Sequence, residues 1–170
     1  MVFVWLSTSF NNYLLLFLTS SFTEEYKIGI SFGVADLLSY AAAGYLYSIL
    51  GAKFSLVTSF AISSAGGLVV SAYGLQHQDS WIFVALIFFS RIGISFAFNI
   101  IYVAHGPLFP ILFSTTSFGI CGFLARIFSA FSSIFAGLSE PVPMIMFTVL
   151  SMITAVLVLG LQQNPHLKHN

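Results

Sequence analysis

The sequence predicts an all-α, polytopic membrane protein with six transmembrane helices. Hydrophobic residues make up 58% of its 170 positions and charged residues only 6%, and the mean hydropathy is +1.00. Soluble domains carry roughly 25% charged residues, so this composition cannot cover a surface that faces water. The apolar runs are too long and too uniform for the alternating strands of a membrane barrel. The length accommodates about six spans of ~20 residues with short loops.

Six apolar segments follow one another, separated by short polar breaks. They cover residues 2–22, 28–50, 54–73, 81–102, 114–138 and 143–161. The loop 51–53 is so short that we expect the second and third spans to be antiparallel neighbours. The third span is rich in Ser, Ala and Gly, which let helix backbones approach closely in lipid. We predict one transmembrane domain over residues 1–162 and a frayed polar tail over 163–170.

The charge distribution gives a weak prediction of topology. Six spans place both termini on one side of the membrane, together with Lys53 and Lys168, whereas Lys27 lies on the other side. Because cytoplasmic loops carry an excess of Lys and Arg, the termini are predicted on the cytoplasmic or equivalent inner side. No signal in the sequence names the organelle.

A short internal echo fits an inverted 3+3 repeat. The tripeptide Ser-Phe-Gly opens the second span at residues 31–33 and the fifth span at residues 117–119. Each of these spans is the middle helix of a group of three, and such groups cross a membrane in opposite senses in many transporters. Three matching residues in an apolar chain also arise by chance.

The most specific pattern is RIGISFAFNIIYVAHGPLFPILFSTTSFGICGFLARIF, residues 91–128. It resembles the tenth and eleventh helices of a major facilitator superfamily transporter of the organic cation/anion and sugar-like solute carrier branch. The matching positions are Arg91, Gly93, Ser95, Phe98, Asn99, Tyr102, Leu108, Phe109, Pro110, Gly119, Ala125 and Arg126. The first two segments resemble the seventh and eighth helices, with Asp36 at an acidic position. The resemblance implies the C-terminal six-helix half of a transporter that works by alternating access against a second six-helix bundle.

Several positions depart from the family pattern. The glutamate of the family's E-L-F-P motif is Pro107 here, and the arginine after it is Phe113. After the second segment, the loop keeps only Gly51 and Lys53 where the family carries an acid and several arginines. In the family these charges form the cytoplasmic network that closes one alternating-access state. Their replacement leaves open whether the chain transports or serves as a structural or accessory subunit of a larger membrane complex.

Three charges lie well inside predicted spans: Asp36, Arg91 and Arg126. Each costs ~2.5–3.5 kcal/mol at a helix centre on insertion scales. In one interpretation, Asp36 and Arg91 face a central cavity and bind a charged solute. In the other, they pair with each other or with backbone carbonyls, or extend to an interface. Arg126, about two turns into its helix, is assigned to packing.

A polar stripe follows Arg91 on the fourth segment. Ser95, Asn99 and Tyr102 are spaced by four and three residues and so share one helix face. They either line a solute cavity or hydrogen-bond neighbouring helices, and Asn11 and Asn12 in the first segment carry the same ambiguity.

The end of the fourth segment suggests a hinge at Gly106, Pro107 and Pro110. His105 precedes it and could titrate near neutral pH. A role in proton coupling is possible, although a single interfacial histidine is usually not a relay.

No signal of an enzyme, a cofactor or a metal site stands out. Phosphate-binding loops and nucleophile–base motifs are absent from the sequence, and one cysteine gives neither a disulfide framework nor a metal cluster. Without a basic tract, nucleic acid is a poor partner. The expected partners are the lipid bilayer, a small organic solute, and a second six-helix bundle or a larger membrane complex. The chain could also be a piece of a longer product.

Overall fold

The structure is a computed structural model that describes residues 1–18, 25–73, 81–108, 111–139 and 141–160. The regular secondary structure in these ranges is helical throughout, which confirms the all-α prediction for this part of the chain. The helices are α1 (Val2–Leu18), α2 (Glu25–Tyr73), α3 (Trp81–Leu108), α4 (Ile111–Ala130), α5 (Ser132–Ala136) and α6 (Val142–Gly160).

Four helical stretches are long and apolar enough to cross a membrane. They are Tyr26–Ala72, Trp81–Gly106, Phe113–Ala136 and Val142–Gly160. The helix α1 is equally apolar in character but has only 17 residues. The described residues therefore fit a membrane protein, but they do not form six separate long helices, because the second and third predicted spans are joined within α2.

The helix α2 is broken at Gly51, the single residue with non-helical backbone angles in it (φ 72°, ψ 172°). This φ lies in the left-handed region that glycine adopts without steric cost. The hydroxyl of Ser55 donates to the carbonyl oxygen of Leu46 at 3.1 Å, whereas a straight helix would hold residues nine apart at roughly 13 Å. The chain therefore turns sharply at Gly51, between a first arm (residues 25–50) and a second arm (52–73).

Both arms of α2 pack against the same turn of α3. In the first arm, the hydroxyl of Ser39 reaches the carbonyl oxygen of Ile92 at 3.5 Å. In the second arm, the backbone of Ser59 and Ser63 lies very close to Gly93. A Cβ atom added to Gly93 would lie 2.5 Å from the Ser63 nitrogen. The arms consequently lie side by side, and the small residues of the second arm permit the close approach that lipid-embedded helices need.

The helix α6 completes the packing on the far side of the second arm and of α1. A Cβ on Gly67 would lie 2.5 Å from Oγ1 of Thr148. Toward α1, the amide of Asn11 donates to Oγ of Ser151 at 2.9 Å, and Thr154 donates to Ser7 at 2.8 Å. Polar side chains thus join α1 to α6 within an otherwise apolar interface.

The fifth predicted span is divided, and its helix α4 is the least buried of the long ones. The residues 114–138 contain most of α4, which begins at Ile111, a turn at Phe131 and the short helix α5. Only 22% of its most apolar window is buried, against 39–50% for the other three candidate spans. Its main neighbour is α1, and its contact with α3 is slight. This leaves a groove with α1 as its floor and α3 and α4 as its walls.

The remaining boundaries differ from the predicted ones by a few residues. The helix α3 continues to Leu108, so Gly106 and Pro107 of the predicted hinge lie in its last turn. Pro110, residues 19–22 of the first predicted span and the tail 163–170 lie outside the described residues.

Candidate functional site

Asp36 and Arg91 form a bidentate ion pair between the first arm of α2 and α3. The Nε of Arg91 donates to Oδ1 of Asp36 at 3.0 Å, and Nη2 donates to Oδ2 at 2.8 Å. Parallel bonds of this kind are the strongest pairing that a guanidinium makes with a carboxylate. The side chain of Arg91 is 6% exposed and that of Asp36 35%. Asp36 and Arg91 thus pair with each other, as in the second interpretation of the sequence, and not separately with a solute.

The third nitrogen of the guanidinium connects this pair to α1. Nη1 of Arg91 donates to the backbone carbonyl oxygen of Asn12 at 3.0 Å. The ring of Phe32 lies 4.9 Å from the guanidinium carbon, in cation–π range. A buried charge is tolerated when it is paired and hydrogen-bonded, and here groups from α1 and α2 satisfy an arginine of α3.

The residues of the predicted polar stripe have three different environments. Ser95 donates its hydroxyl to Oδ1 of Asp36 and so belongs to the ion-pair network. Asn99 donates its amide to the backbone oxygen of Ser95 at 2.9 Å, within its own helix. Tyr102 is one turn further along and lines a separate cavity.

That cavity, with a volume of about 390 Å³, occupies the groove between α1, α3 and α4. Half of its lining residues are aromatic: Trp5, Tyr13, Phe98, Tyr102, Phe118 and Phe123. The ring centroids of Trp5 and Tyr102 are 4.7 Å apart, and those of Trp5 and Phe118 are 5.3 Å apart, both edge to face. Two glycines of the α4 wall, at positions 119 and 122, have no atom within 4 Å of where a Cβ would stand. Their open space belongs to the cavity.

Arg126 is the charged residue of the cavity wall. Its side chain is exposed, and none of the described carboxylates lies within ion-pair distance. Arg126 lies four residues before the end of α4 at Ala130, which is roughly 6 Å along the helix axis. The structure places this residue on the cavity wall, whereas the sequence suggested packing.

The indole of Trp5 connects the cavity to the end of α3. Its Nε1–H donates to Nδ1 of His105 at 3.3 Å, and both side chains are buried. Sequence reasoning missed Trp5, although Trp5, Ser9 and Tyr13 recur every four residues and therefore share one face of α1. That face lines the cavity.

The charges and rings define what the cavity can bind. Aromatic faces suit a planar or apolar body, and a guanidinium suits a carboxylate, sulfonate or phosphate held in bidentate fashion. Three polar side chains interact electrostatically with Tyr102: Arg126, Tyr13 and Tyr40. Because Tyr40 belongs to the first arm of α2, the polar groups around the cavity continue toward that arm.

Comparison of the chain with protein-family models and with curated proteins finds no match in either. The interpretation of the site therefore rests on its own geometry and on the motifs of residues 91–128.

Proposed function

We infer that this chain is one half of an alternating-access transporter for small organic anions. The two arms of α2 would each cross the membrane, giving six passes in a 3+3 arrangement with both termini on the inner side. The groove between α1, α3 and α4 would form one wall of the solute pathway, and a second six-helix bundle would form the other. That bundle could come from a second copy or from another subunit.

The observation that carries this proposal is Arg126 in an aromatic cavity. A cation within an apolar helix is costly unless a partner or water satisfies it, and none of the described carboxylates pairs with Arg126. A volume of about 390 Å³ falls in the range of about 300–1,000 Å³ typical of small-molecule sites. An aromatic anion would stack on the ring-lined walls and place its charge on Arg126.

A second function, that of a structural or accessory subunit, is favoured by a different observation. The ion pair of Asp36 and Arg91 uses up two of the charges that a transporter could offer to a solute. Together with the replaced loop charges around Gly51 and Pro107, this arrangement suits a retained scaffold within a larger membrane complex.

Ligand binding and stoichiometry together test the proposal. The chain has two tryptophans, so Trp81→Phe leaves Trp5 as a single fluorescent reporter on the cavity wall. We expect 2-naphthalenesulfonate to quench Trp5 saturably and 1-naphthylmethylammonium, of similar shape and opposite charge, to bind much more weakly. Arg126→Gln should remove the preference for the anion.

Native mass spectrometry after gentle extraction supplies the second measurement. A homodimer, or a pair with another six-helix chain, together with anion-selective quenching would support the half-transporter. A stoichiometric place in a large complex without sulfonate binding would support the accessory subunit. An active but strictly monomeric preparation would contradict the need for a second bundle.

A further inference from the structure

We propose that His105 is a positioning residue that holds Trp5 in place through its unprotonated Nδ1, and so makes ligand binding in the cavity sensitive to protonation. This inference rests on the proposed function for its ligand, but the contact between His105 and Trp5 stands without it.

The direction of the hydrogen bond fixes the protonation state of the imidazole. An indole nitrogen can only donate, so Nδ1 of His105 must accept and must carry no proton. An imidazolium has two N–H donors and no acceptor. Since Nε2 already carries the proton of the neutral ring, protonation of His105 occurs at Nδ1 and removes the bond from Trp5.

The contact joins three helices at one end of the cavity. Trp5 belongs to α1 and His105 to α3, and the imidazole also interacts with the backbone of Ser114 in α4. The ring of Phe118 lies 5.3 Å from that of Trp5 and 5.3 Å from that of His105, edge to face in both cases. The indole of Trp5 thus packs against the imidazole of His105 and the phenyl ring of Phe118.

Burial makes this contact sensitive to charge. Trp5 and His105 are each 1% exposed, so water cannot replace the lost bond unless the helices separate. The titratable groups that reach this cluster are the α-amino group of Met1 on α1 and the phenol of Tyr102 on α3. From α4 the cluster meets the ring of Phe118 and the backbone of Ser114. The Ser114 backbone can remain a partner of the protonated ring, whereas the indole of Trp5 cannot donate to an imidazolium. Protonation therefore opens the contact between His105 and Trp5.

The consequence for the ligand follows from linkage. The indole packs against Tyr102 and Phe118, which line the cavity. A ligand that contacts these two rings binds the state with neutral His105 better than the state with the indole released. Acidification should therefore weaken binding, by about three- to tenfold for the loss of one buried hydrogen bond.

Single-tryptophan fluorescence tests this proposal directly. In the Trp81→Phe background, the emission of Trp5 and the affinity for 2-naphthalenesulfonate are measured from about pH 8 to about pH 4, across and below the ordinary titration range of histidine. The sulfonate stays ionised throughout, so the ligand itself contributes no pH dependence. We expect emission and affinity to fall together as the pH is lowered.

Two variants separate positioning from bulk packing. In His105→Asn, the side-chain oxygen can take the place of Nδ1 as an acceptor but does not titrate, so emission and affinity should stay near their neutral-pH values at every pH. In His105→Phe, the ring remains but the acceptor is lost, and affinity should be low and independent of pH. If His105→Phe fails to fold, the comparison of His105→Asn with the parent is sufficient to test the positioning role of His105.

The outcomes distinguish this inference from the proposed function. Emission that is independent of pH in the parent, or that titrates equally in His105→Asn, would overturn the positioning role. Titrating emission with pH-independent sulfonate affinity would overturn the coupling. Titrating emission with no sulfonate binding at any pH would overturn the proposed function and the coupling, and would support the positioning of Trp5 by His105.

Discussion

Two arginines lie inside apolar helices of this chain, and their surroundings differ. Arg91 is 5% exposed and is held by the carboxylate of Asp36 and by a backbone carbonyl of α1. Arg126 is exposed on the wall of an aromatic cavity, where no described carboxylate pairs with it. Insertion into a membrane costs a similar amount for each, so the difference lies in what satisfies the charge.

Arg91 therefore stabilises the fold, whereas the charge of Arg126 is available to a ligand. Around Arg91, groups from the two helices α1 and α2 act as partners, and removing Asp36 leaves the guanidinium without its carboxylate. Around Arg126, the space is open, and none of the described carboxylates pairs with it. Substitutions in the first region should therefore change stability, and substitutions in the second should change binding.

The largest effect is expected from breaking the ion pair on one side. Asp36→Leu leaves a buried guanidinium without its carboxylate and should lower the free energy of unfolding by ~3–5 kcal/mol. Thermal unfolding in mild detergent measures this loss. The double variant Asp36→Leu/Arg91→Met removes both charges and should recover most of the stability. A single variant as stable as the parent would show that the pair does not hold the helices together.

The second effect concerns the close approach of α2 and α3 beside the ion pair. Gly93→Ala places a methyl group 2.5 Å from the Ser63 nitrogen and 2.8 Å from the Ser59 oxygen. Backbone atoms cannot move aside alone, so we expect a loss of about 1–3 kcal/mol in unfolding free energy.

Gly119→Ala is the matched control for that substitution, because its Cβ would enter the open cavity. It should leave stability unchanged or raise it by up to about 1 kcal/mol through helix propensity. Equal losses in both variants would contradict the contrast between a packed region and an open one.

The third effect should appear in binding and not in folding. Arg126→Gln removes the cation from the cavity wall, and we expect sulfonate affinity to fall about tenfold or more, as for the loss of a hydrogen bond to a charged group. The unfolding free energy should stay within about 0.5 kcal/mol of the parent, as for other exposed positions. A large loss of stability would instead place Arg126 in the same structural class as Arg91.

The smallest effect lies at the α1–α6 interface. Asn11→Ala removes the amide that donates to Ser151 at 2.9 Å, and bonds of this kind between membrane helices contribute about 0.6 kcal/mol. Chemical denaturation in mixed micelles can resolve such a change. In Asn12→Ala, the backbone carbonyl that accepts from Arg91 remains, so this neighbouring variant should be nearly neutral. A larger loss in Asn12→Ala would show that its side chain matters more than the contacts indicate.

The sequence was sufficient to predict the helices because their signal is local. Long apolar runs without strand alternation predict helices, and four described stretches are long and apolar enough to span a membrane. The count of separate helices was not predictable in this way, because a single glycine, Gly51, turns the chain without a loop.

The site was only partly predictable. Asp36 and Arg91 stood out because charges are rare in this chain, but their 55-residue separation gave no means of deciding between a mutual pair and a solute contact. Arg126 stood out equally and was assigned to packing, whereas the structure places it on the cavity wall. Trp5 and Phe118 did not stand out at all, since aromatic residues are common throughout the sequence.

The sequence by itself determined the apolar and helical character of this protein, because composition and periodicity act within one segment. The tertiary structure decided which charge is satisfied and which is open. Whether two side chains far apart in the sequence contact each other depends on how the helices pack. Arg91 faces Asp36 across the seam between α2 and α3, whereas Arg126 faces the groove left where α3 and α4 barely touch.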